Sequence, residues 1–346
     1  MTQESYLLWR DNPHLDSSLK AELPTLTPNE IEDSFYRFLE FGTGGMRGLM
    51  GVGPNRLNIY TIRKATLGYA NTLKAGDRVA IAYDSRHNSR LFAYEAARTL
   101  ASAGINVSLF TDLRPTPVLS FAVRHLQCQG GIVITASHNP PAYNGYKVYD
   151  EHGCQMVPHQ VQHVIDAIDQ IEDLFAIDPL PLDELVEQKR ITWIDSAVDD
   201  AYQAAVLSLQ LHPELDKTKL KIVDTPLHGA GLIPVTETLS AAGYTQVSVV
   251  SEQRDPDPDF TSVSYPNPED PATFTLAKRL GGELHADLLL ATDPDSDRVA
   301  MGVLNDEGEY TLLTGNQTGA LLLYYLLSEK QQAGTVIDTI VTSNLI

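Results

Sequence analysis

Cysteine, long apolar runs and basic residues are all scarce in this sequence. Cys128 and Cys154 are the only cysteines among 346 residues, which excludes a disulfide framework. No apolar run reaches about 18 residues, the length that a membrane-spanning helix requires. No apolar segment of the signal-peptide type follows Met1. We therefore expect a cytoplasmic protein that does not enter a membrane.

The shortage of basic residues also limits the partners. The 45 acidic residues outnumber the 25 basic ones, and the formal net charge is −20. Such a charge repels nucleic acid and anionic membrane surfaces, so neither is an expected partner. An anionic ligand would have to be bound by local Arg or Lys side chains, by backbone N–H groups or by a metal ion.

Strand-like and helix-like segments alternate along most of the sequence. The strand-like runs are VAIAYD (79–84), NVSLFTD (106–112), GIVIT (131–135), LKIVDT (220–225), QVSVV (246–250) and ADLLLAT (286–292). Helical segments separate them, which predicts repeated α/β domains with mixed, largely parallel sheets and right-handed crossovers. Before the first strand, Thr27, Pro28 and Glu30 predict a helix with a capping box, and Gly42 predicts its end.

The pattern divides the chain into three regions. We expect a first domain at 1–195, including the N-terminal helical arm, a second at 196–303 and part of a third at 304–346. The third region offers a helix at 315–334 and a strand at 335–343, close to the last residue. Because such a strand needs a following helix to cover its face, we expect this domain to be incomplete.

The segment GIVITASHNP (131–140) carries the strongest chemical signal. Its β-branched run suits a buried strand that ends in a turn-forming cluster, so Ser137 is expected to lie exposed at the strand's C-terminal end. Open α/β sheets place their chemistry there. A hydrolase is disfavoured because a GxSxG nucleophile elbow has glycines around its serine, whereas Ser137 is flanked by Ala136 and His138 with no glycine in place. Adjacent Ser and His side chains also point apart in an extended segment.

A second signal is ATDPDSDR (291–298), which follows a strand-like run. Asp293, Asp295 and Asp297 alternate, and Pro294 favours an extended backbone in which all three would face one side. Three adjacent carboxylates repel one another unless a cation lies between them, and oxygen ligands suit Mg²⁺. The alternative is an acidic surface loop without a metal.

Other metal sites fit the sequence less well. An EF-hand starting at the first of these aspartates would need Gly and Glu where Arg298 and Leu304 stand. His152, Cys154 and His159 have no fourth ligand at a zinc-like spacing, which favours a solvated loop. The string DPDPD (255–259) has no strand immediately before it, and we interpret its acids as solvated loop residues.

The Gly-rich segment FGTGGMRG (41–48) is a candidate anion-binding loop. Gly44 and Gly45 would let the backbone approach a ligand, and Arg47 offers a fork suited to phosphate or carboxylate. It matches neither a Walker A loop nor a dinucleotide fingerprint, and a Gly-rich turn without function is the alternative. Arg86, at a second strand end, could contact phosphate or form a plain ion pair with Asp84.

Together these segments point to phosphoryl transfer. A metal near a serine oxygen is useful when that oxygen carries a phosphoryl group. TASHNPPAYNGYKVYD (135–150), FGTGGMRG and ATDPDSDR resemble the phosphoserine, N-terminal and metal loops of the α-D-phosphohexomutase superfamily. NGYKVYD (144–150) and YPNPED (265–270) resemble its phosphoglucomutase and phosphopentomutase branch. The resemblance covers essentially the whole chain and implies phosphohexomutase-type domains, with the third incomplete and the fourth absent.

The resemblance implies a role for each matching residue. Ser137 would carry the phosphoryl group, His138 and Lys147 would be candidates for acid/base work, and Arg47 would steady the phosphoryl group. The Mg²⁺ ligands would be a phosphate oxygen on Ser137 together with Asp293, Asp295 and Asp297. The residues that bind substrate or phosphate would be Gly44, Gly45, Arg47, Arg86, Asn144 and Arg298. Glucose 1,6-bisphosphate or an equivalent sugar bisphosphate would be the activator.

The implied function is an intramolecular phosphotransferase that interconverts sugar 1-phosphates and 6-phosphates through a phosphoserine and a sugar bisphosphate. A phosphopentomutase, a phosphomannomutase and a non-catalytic phosphosugar-binding fragment are the alternatives. In the family, the sugar-recognition and distal phosphate-binding loops belong to the third and fourth domains. We therefore expect the chain alone to turn over weakly, and to self-associate through apolar surface of its incomplete third domain.

Overall fold

The computed structural model describes residues 2–42, 44–330, 334–339 and 342–343. The chain divides into two compact units, Met1–Asp199 and Asp200–Ile346. Cys128 is buried, Cys154 is exposed and both are free thiols. In the part of the chain that the structure describes, no helix combines the length and apolarity needed to cross a bilayer.

The first unit is built on one mixed sheet. Its strands are β1 (Gly45–Leu49), β2 (Arg78–Tyr83), β3 (Asn106–Phe110), β4 (Gly130–Ile134), β5 (Tyr143–Tyr149) and β6 (Ile191–Ile194). Its helices are α1 (Thr2–Arg10), α2 (Ser17–Glu22), α3 (Pro28–Phe35), α4 (Ile59–Asn71), α5 (Ser89–Ser102), α6 (Thr116–His125), α7 (Pro158–Asp169) and α8 (Leu182–Glu187). The spatial order is β1-β5-β4-β2-β3-β6.

Parallel pairing holds the centre of this sheet. β4, β2, β3 and β6 run parallel, whereas β5 is antiparallel to β4 and β1 is antiparallel to β5. All five residues of β4 are buried, as expected for a parallel strand that is covered on both faces. The serine segment therefore leaves the sheet from its interior rather than from an edge.

The N-terminal arm agrees with the sequence at one helix end only. Thr27 and Glu30 form the expected capping box at the start of α3. The helix ends at Phe35 rather than at Gly42, so the predicted C-terminal end is wrong. The chain leaves the helix because it must join the following segment, where Leu39 N–H donates to the carbonyl of Pro54 at 2.8 Å.

The second unit is also a mixed sheet. Helix α9 (Ser196–Leu207) crosses the division between the units, and the remaining helices are α10 (Leu232–Ala241), α11 (Thr275–Leu284) and α12 (Gly315–Lys330). The strands are β7 (Lys221–Thr225), β8 (Gln246–Val249), β9 (Leu288–Thr292), β10 (Val299–Leu304) and β11 (Tyr310–Leu313). Their order is β11-β10-β9-β7-β8, with β9, β7 and β8 parallel and the other two pairings antiparallel.

Two predictions for the third region need correction. The expected domain boundary between 303 and 304 falls inside β10, and the sheet continues through β11. The strand expected at 335–343 is not formed at 335–339, and residues 340 and 341 lie outside the described residues. α12 exposes apolar side chains such as Leu321, Leu322 and Tyr324, and self-association through this surface stays a prediction.

Candidate active site

Ser137 lies in a sharp turn after β4, in a segment that we call the serine loop (residues 135–143). Its φ is +52°, in the left-handed region, and its backbone N–H donates to Thr135 Oγ1 at 2.8 Å. The residue is only 3% exposed. The expectation of an exposed serine is therefore wrong, because the chain turns back over the strand end instead of continuing outward.

The same turn brings Ser137 and His138 together. Ser137 Oγ lies 3.0 Å from Nδ1 of His138, whereas an extended segment would have pointed the two side chains apart. The left-handed φ of the serine is the reason for the difference. The expectation that the two side chains point apart is therefore wrong, although the absence of a glycine elbow still disfavours a hydrolase. The histidine can accept or return a proton at the serine oxygen.

Arg86 holds the serine loop through its backbone. Its Nη1 donates to the carbonyls of Pro140 and Tyr143 at 3.0 and 3.1 Å, and its Nη2 donates to those of Ser137, at 2.6 Å, and Asn139. Its Nε lies 3.4 Å from an oxygen of Asp84, and both side chains are completely buried. The guanidinium therefore binds four backbone carbonyls, three in the turn and one at the start of β5.

This geometry decides between the two sequence interpretations of Arg86. A fully buried guanidinium that already binds backbone carbonyls does not present its fork to a phosphate in solution. The ion pair with Asp84 is formed, so the structure gives Arg86 a positioning role in place of the predicted phosphate contact. Sequence reasoning missed this role because the carbonyls it binds lie more than fifty residues further along the chain.

Asn144 also connects the loop to its surroundings. The side chain is fully buried, and its Nδ2 donates to the carbonyl of His87 and to Ser89 Oγ, both at 2.9 Å. Ser89 Oγ in turn donates to Asp84 at 2.6 Å. These contacts tie β5 to the segment that carries Arg86. Asn144 therefore has an internal structural role, whereas the sequence had predicted a residue that contacts substrate.

The Gly-rich segment forms a strand where a loop was expected. β1 pairs with β5, so that Gly45 lies opposite Lys147 and Arg47 opposite Gly145. Gly45 has a φ of +148°, and a Cβ there would lie 1.9 Å from the carbonyl oxygen of Tyr146. Glycine is therefore required by the close approach of the two strands. The turn that precedes β1 includes Gly44, with a φ of +79°; Thr43 lies outside the described residues.

Two cations face the same side of this strand pair. In antiparallel pairing, opposite residues share a face and so do residues two positions apart, which puts Arg47 and Lys147 on one face at diagonal positions. Arg47 is exposed, and its Nη1 donates to Asn139 Oδ1 of the serine loop at 2.9 Å. Lys147 is 8% exposed. Arg47 thus contacts the serine loop directly, and the buried Lys147 lies on the same face of the strand pair.

The second unit carries the carboxylates, in a segment that we call the metal loop (residues 292–297). Asp293 and Asp295 are fully buried, Asp297 is exposed, and one ligand atom from each lies within 4.8 Å of the others. The backbone is a turn and not the extended segment that was predicted. Ser296 has a φ of +53°, and its N–H donates to the carbonyl of Asp293 at 2.9 Å.

The donor set fits a divalent cation. Two oxygens on one Mg²⁺ are at most about 4.2 Å apart, twice the usual Mg–O distance of about 2.1 Å, so only a small closure is needed. Two buried carboxylates at this separation repel each other, and either protonation of one or a cation between them relieves the repulsion. Within the described residues, no other His, Cys, Asp or Glu group meets the same criterion, including that of His152, Cys154 and His159.

Arg298 borders this group of carboxylates. Its backbone N–H donates to Asp293 Oδ1 at 3.1 Å. The side chain of Arg298 is exposed, and its Nε lies 3.8 Å from Asp297 Oδ1. The backbone contact orients the first aspartate, while the guanidinium remains accessible to an anion. The geometry is compatible with the predicted phosphate contact of this residue, which stays a prediction.

Two family descriptions match the chain. Residues 39–174 match the family described as "Phosphoglucomutase/phosphomannomutase, alpha/beta/alpha domain I", and residues 200–306 match its domain II. The first range contains the serine loop, and the second contains the metal loop. The chain belongs to the phosphoglucomutase/phosphomannomutase family, within the α-D-phosphohexomutase superfamily.

Curated relatives and solved structures agree with this family. The chain is 37% identical to a phosphoglucomutase of Staphylococcus saprophyticus and 38% identical to one of a bovine strain of Staphylococcus aureus, over 98% of its own length in both cases. It spans 62% and 61% of those two proteins.

Two solved structures share the fold. A phosphomannomutase candidate from Thermus thermophilus superposes with a TM-score of 0.70 at 26% identity, covering 84% of this chain and 62% of that one. A phosphoglucomutase/phosphomannomutase family protein from Burkholderia thailandensis gives a TM-score of 0.66 at 22% identity, covering 84% of this chain and 59% of that one.

Proposed function

We propose that this chain carries the phosphoserine and metal centres of a phosphoglucomutase-like enzyme, which interconverts sugar 1-phosphates and 6-phosphates. The observation that supports this most directly is the serine loop: a serine hydroxyl on a clamped turn, with a histidine nitrogen 3.0 Å away. Arg47 and Lys147 add positive charge on the adjoining strand face. This combination suits an oxygen that accepts and donates a phosphoryl group.

The transfer cycle has two balanced halves. A phosphoryl group on Ser137 Oγ passes to a free hydroxyl of the sugar monophosphate: the Ser137 P–O bond breaks, a sugar P–O bond forms, the sugar hydroxyl gives its proton to a base, and Ser137 Oγ takes up a proton. After the bisphosphate has turned round, its other phosphoryl group returns to Ser137 Oγ, which gives up its hydroxyl proton to a base while the departing sugar oxygen takes up a proton. His138 and Lys147 are the two candidates for holding that proton, and Arg47 orients the phosphoryl oxygens.

The metal ion supplies electrostatic stabilisation when bound. Mg²⁺ held by Asp293, Asp295 and Asp297 together with a phosphoserine oxygen would neutralise charge on the phosphoryl group. The chain's own contribution is the arrangement of the carboxylates, two of which are buried and preorganised by the turn of the metal loop. The proposal requires the phosphoserine oxygen and the aspartates to bind the same ion.

Glucose phosphates are the proposed substrates, and glucose 1,6-bisphosphate the proposed activator that loads the serine. The curated relatives named phosphoglucomutase support this choice over pentose and mannose phosphates. Because the chain spans about three-fifths of their length, turnover by the 346 residues alone is a separate question from loading of the serine.

Intact-mass spectrometry tests the loading step directly. Incubation of the chain with glucose 1,6-bisphosphate and Mg²⁺ should add the mass of one phosphoryl group. Ser137→Ala should abolish the addition, and Asp295→Asn should slow it strongly. Ser240→Ala, an exposed serine of α10, is the matched control and should load like the wild type. A wild-type chain that never gains the phosphoryl mass would contradict the proposal.

A further inference from the structure

A second turn of the same unit, residues 226–231, lies directly against the metal loop. We propose that this turn sets the positions of the metal-binding aspartates, and that His228 is a positioning residue for metal binding. The inference rests on the proposed function in one respect, namely that the aspartates hold a divalent cation.

The contact between the two turns is made by backbone. Ala230 N–H donates to the carbonyl oxygen of Pro294 at 2.8 Å. A Cβ on Gly229 would lie 2.4 Å from Pro294 Cα, which is closer than real Cβ atoms approach other atoms. Pro294 stands between two of the metal-binding aspartates, so a displacement at Gly229 displaces both of them.

A second glycine completes the contact. A Cβ on Gly231 would lie 2.6 Å from Thr292 Oγ1 and 2.7 Å from Ser296 Oγ. The turn therefore touches the metal loop at its beginning, its middle and near its end. Neither glycine could be exchanged for a larger residue without moving backbone or fixed side chains.

The 226–231 turn itself has an unfavourable backbone conformation. Leu227 and His228 both have left-handed backbones, with φ values of +44° and +62°. Non-glycine residues in such regions cost on the order of 1–3 kcal/mol each and persist only where surrounding contacts enforce them. Here Leu227 N–H donates to Thr225 Oγ1 at 3.2 Å, and His228 N–H donates to the carbonyl of Gln253 at 2.9 Å.

The imidazole of His228 supplies the remaining restraint. It is 4% exposed, with Nδ1 3.0 Å from the carbonyl oxygen of Asp255 and Nε2 2.8 Å from Ser262 Oγ. Because a carbonyl can only accept, Nδ1 carries the proton, and in the neutral ring Nε2 accepts from the serine hydroxyl. The side chain thus ties the turn to the 255–262 segment, which includes the acids that sequence reasoning treated as solvated.

Small displacements matter at this site because Mg²⁺ demands near-ideal octahedral geometry. Changing groups that orient metal ligands typically costs about 10- to 100-fold in metal affinity. We therefore expect His228→Ala and Gly229→Ala each to weaken cation binding by about 10-fold or more, although neither residue is a ligand.

Titration of the whole chain with Mn²⁺, followed by EPR of the free ion, tests this without any turnover. The wild type should bind one Mn²⁺, and Asp295→Asn should lose it. His228→Asn should recover most of the affinity lost in His228→Ala, because its amide can still donate to the Asp255 carbonyl and asparagine tolerates a left-handed φ. Gly282→Ala is the control, since a Cβ there meets nothing within 4 Å.

Thermal unfolding in EDTA and in Mn²⁺ separates positioning from general stability. A merely structural role lowers both midpoints equally, whereas a positioning role reduces the rise that Mn²⁺ produces. Wild-type Mn²⁺ affinity in both His228→Ala and Gly229→Ala would overturn this inference but not the proposed metal centre. Absence of saturable binding in the wild type would overturn the proposed metal centre and the inference with it. If Gly229→Ala fails to fold, the difference between His228→Ala and His228→Asn decides.

Discussion

The serine loop and the metal loop each follow a strand that pairs in parallel with one neighbour and antiparallel with the other, yet they are held in different ways. Arg86 fixes the serine loop from inside with a charged side chain that binds four backbone carbonyls. The metal loop is fixed by backbone packed on backbone, at Gly229 and Gly231. The first arrangement is sensitive to the loss of a side chain, and the second to the gain of one.

The strands that carry these supports differ in the same way. Asp84 follows β2 and is paired with Arg86 and with Ser89 Oγ. Asp224 lies within β7, is 1% exposed, and neither of its carboxylate oxygens has a hydrogen-bond partner among the described residues. Arg86 and Ser89 offset part of the cost of burying Asp84, whose pKa burial still raises, whereas Asp224 has no hydrogen bond to offset that cost, so the two should respond oppositely to substitution.

Removing Arg86 should have the largest effect. Arg86→Ala leaves the Asp84 carboxylate buried without its counter-ion, and we expect a loss of about 3–5 kcal/mol in the free energy of unfolding of the first unit. Urea unfolding measures this loss. Arg86→Lys keeps the charge but cannot reach four carbonyls, so it should load phosphoryl groups more slowly than the wild type, with a smaller loss of stability.

Arg78→Ala provides the control, since this exposed residue begins the same strand, β2. It should leave both the unfolding curve and the loading rate nearly unchanged. Normal loading and stability in Arg86→Ala would show that the four carbonyl contacts do not position the serine.

Asp224→Asn should stabilise the second unit, whereas removal of the Asp84 carboxylate should destabilise the first. Burial raises the pKa of Asp224 from 3.8 to about 7. The folded state therefore binds its proton more tightly than the unfolded state, and this stabilisation is complete below about pH 4 and lost as the pH rises through about 7. The difference between the folded and unfolded pKa values of Asp224 corresponds to a stabilisation of at most about 4 kcal/mol.

Urea unfolding at about pH 5 and about pH 8, on either side of the raised pKa, measures the difference. Asp224→Asn should gain on the order of 1–3 kcal/mol over the wild type at about pH 8 and much less at about pH 5, because the amide has no charge to bury. An equal effect at both values would mean that Asp224 does not titrate in this range.

The exposed contact between Arg47 and Asn139 should matter least for stability. Asn139→Ala removes the hydrogen bond but leaves no buried group unpaired, so we expect a change in unfolding free energy of at most about 1 kcal/mol. Arg47→Ala should have an equally small effect on stability and yet slow phosphoryl loading of Ser137, measured by intact mass. Loading at the wild-type rate would remove Arg47 from the proposed site.

Local patterns predicted where the candidate groups lie in the fold but not the contacts that hold them. The apolar run before Ser137 and the spacing of Asp293, Asp295 and Asp297 are readable within a few residues, and the structure places them at strand ends. The turns at Ser137 and Ser296 were misjudged because non-glycine residues with positive φ have no reliable sequence signal. The supports from Arg86 and Gly229 join segments more than fifty residues apart, which only the folded chain reveals.

We propose that a phosphoryl group on Ser137 and the cation of the three aspartates act together. ³¹P NMR of the chain loaded with glucose 1,6-bisphosphate, with Mn²⁺ in place of Mg²⁺, tests it most directly. We expect Mn²⁺ bound at the aspartates to broaden the phosphoserine resonance beyond detection and EDTA to restore it. A phosphoserine resonance that stays sharp while the aspartates are saturated with Mn²⁺ would show that the phosphoryl group and the cation do not act together.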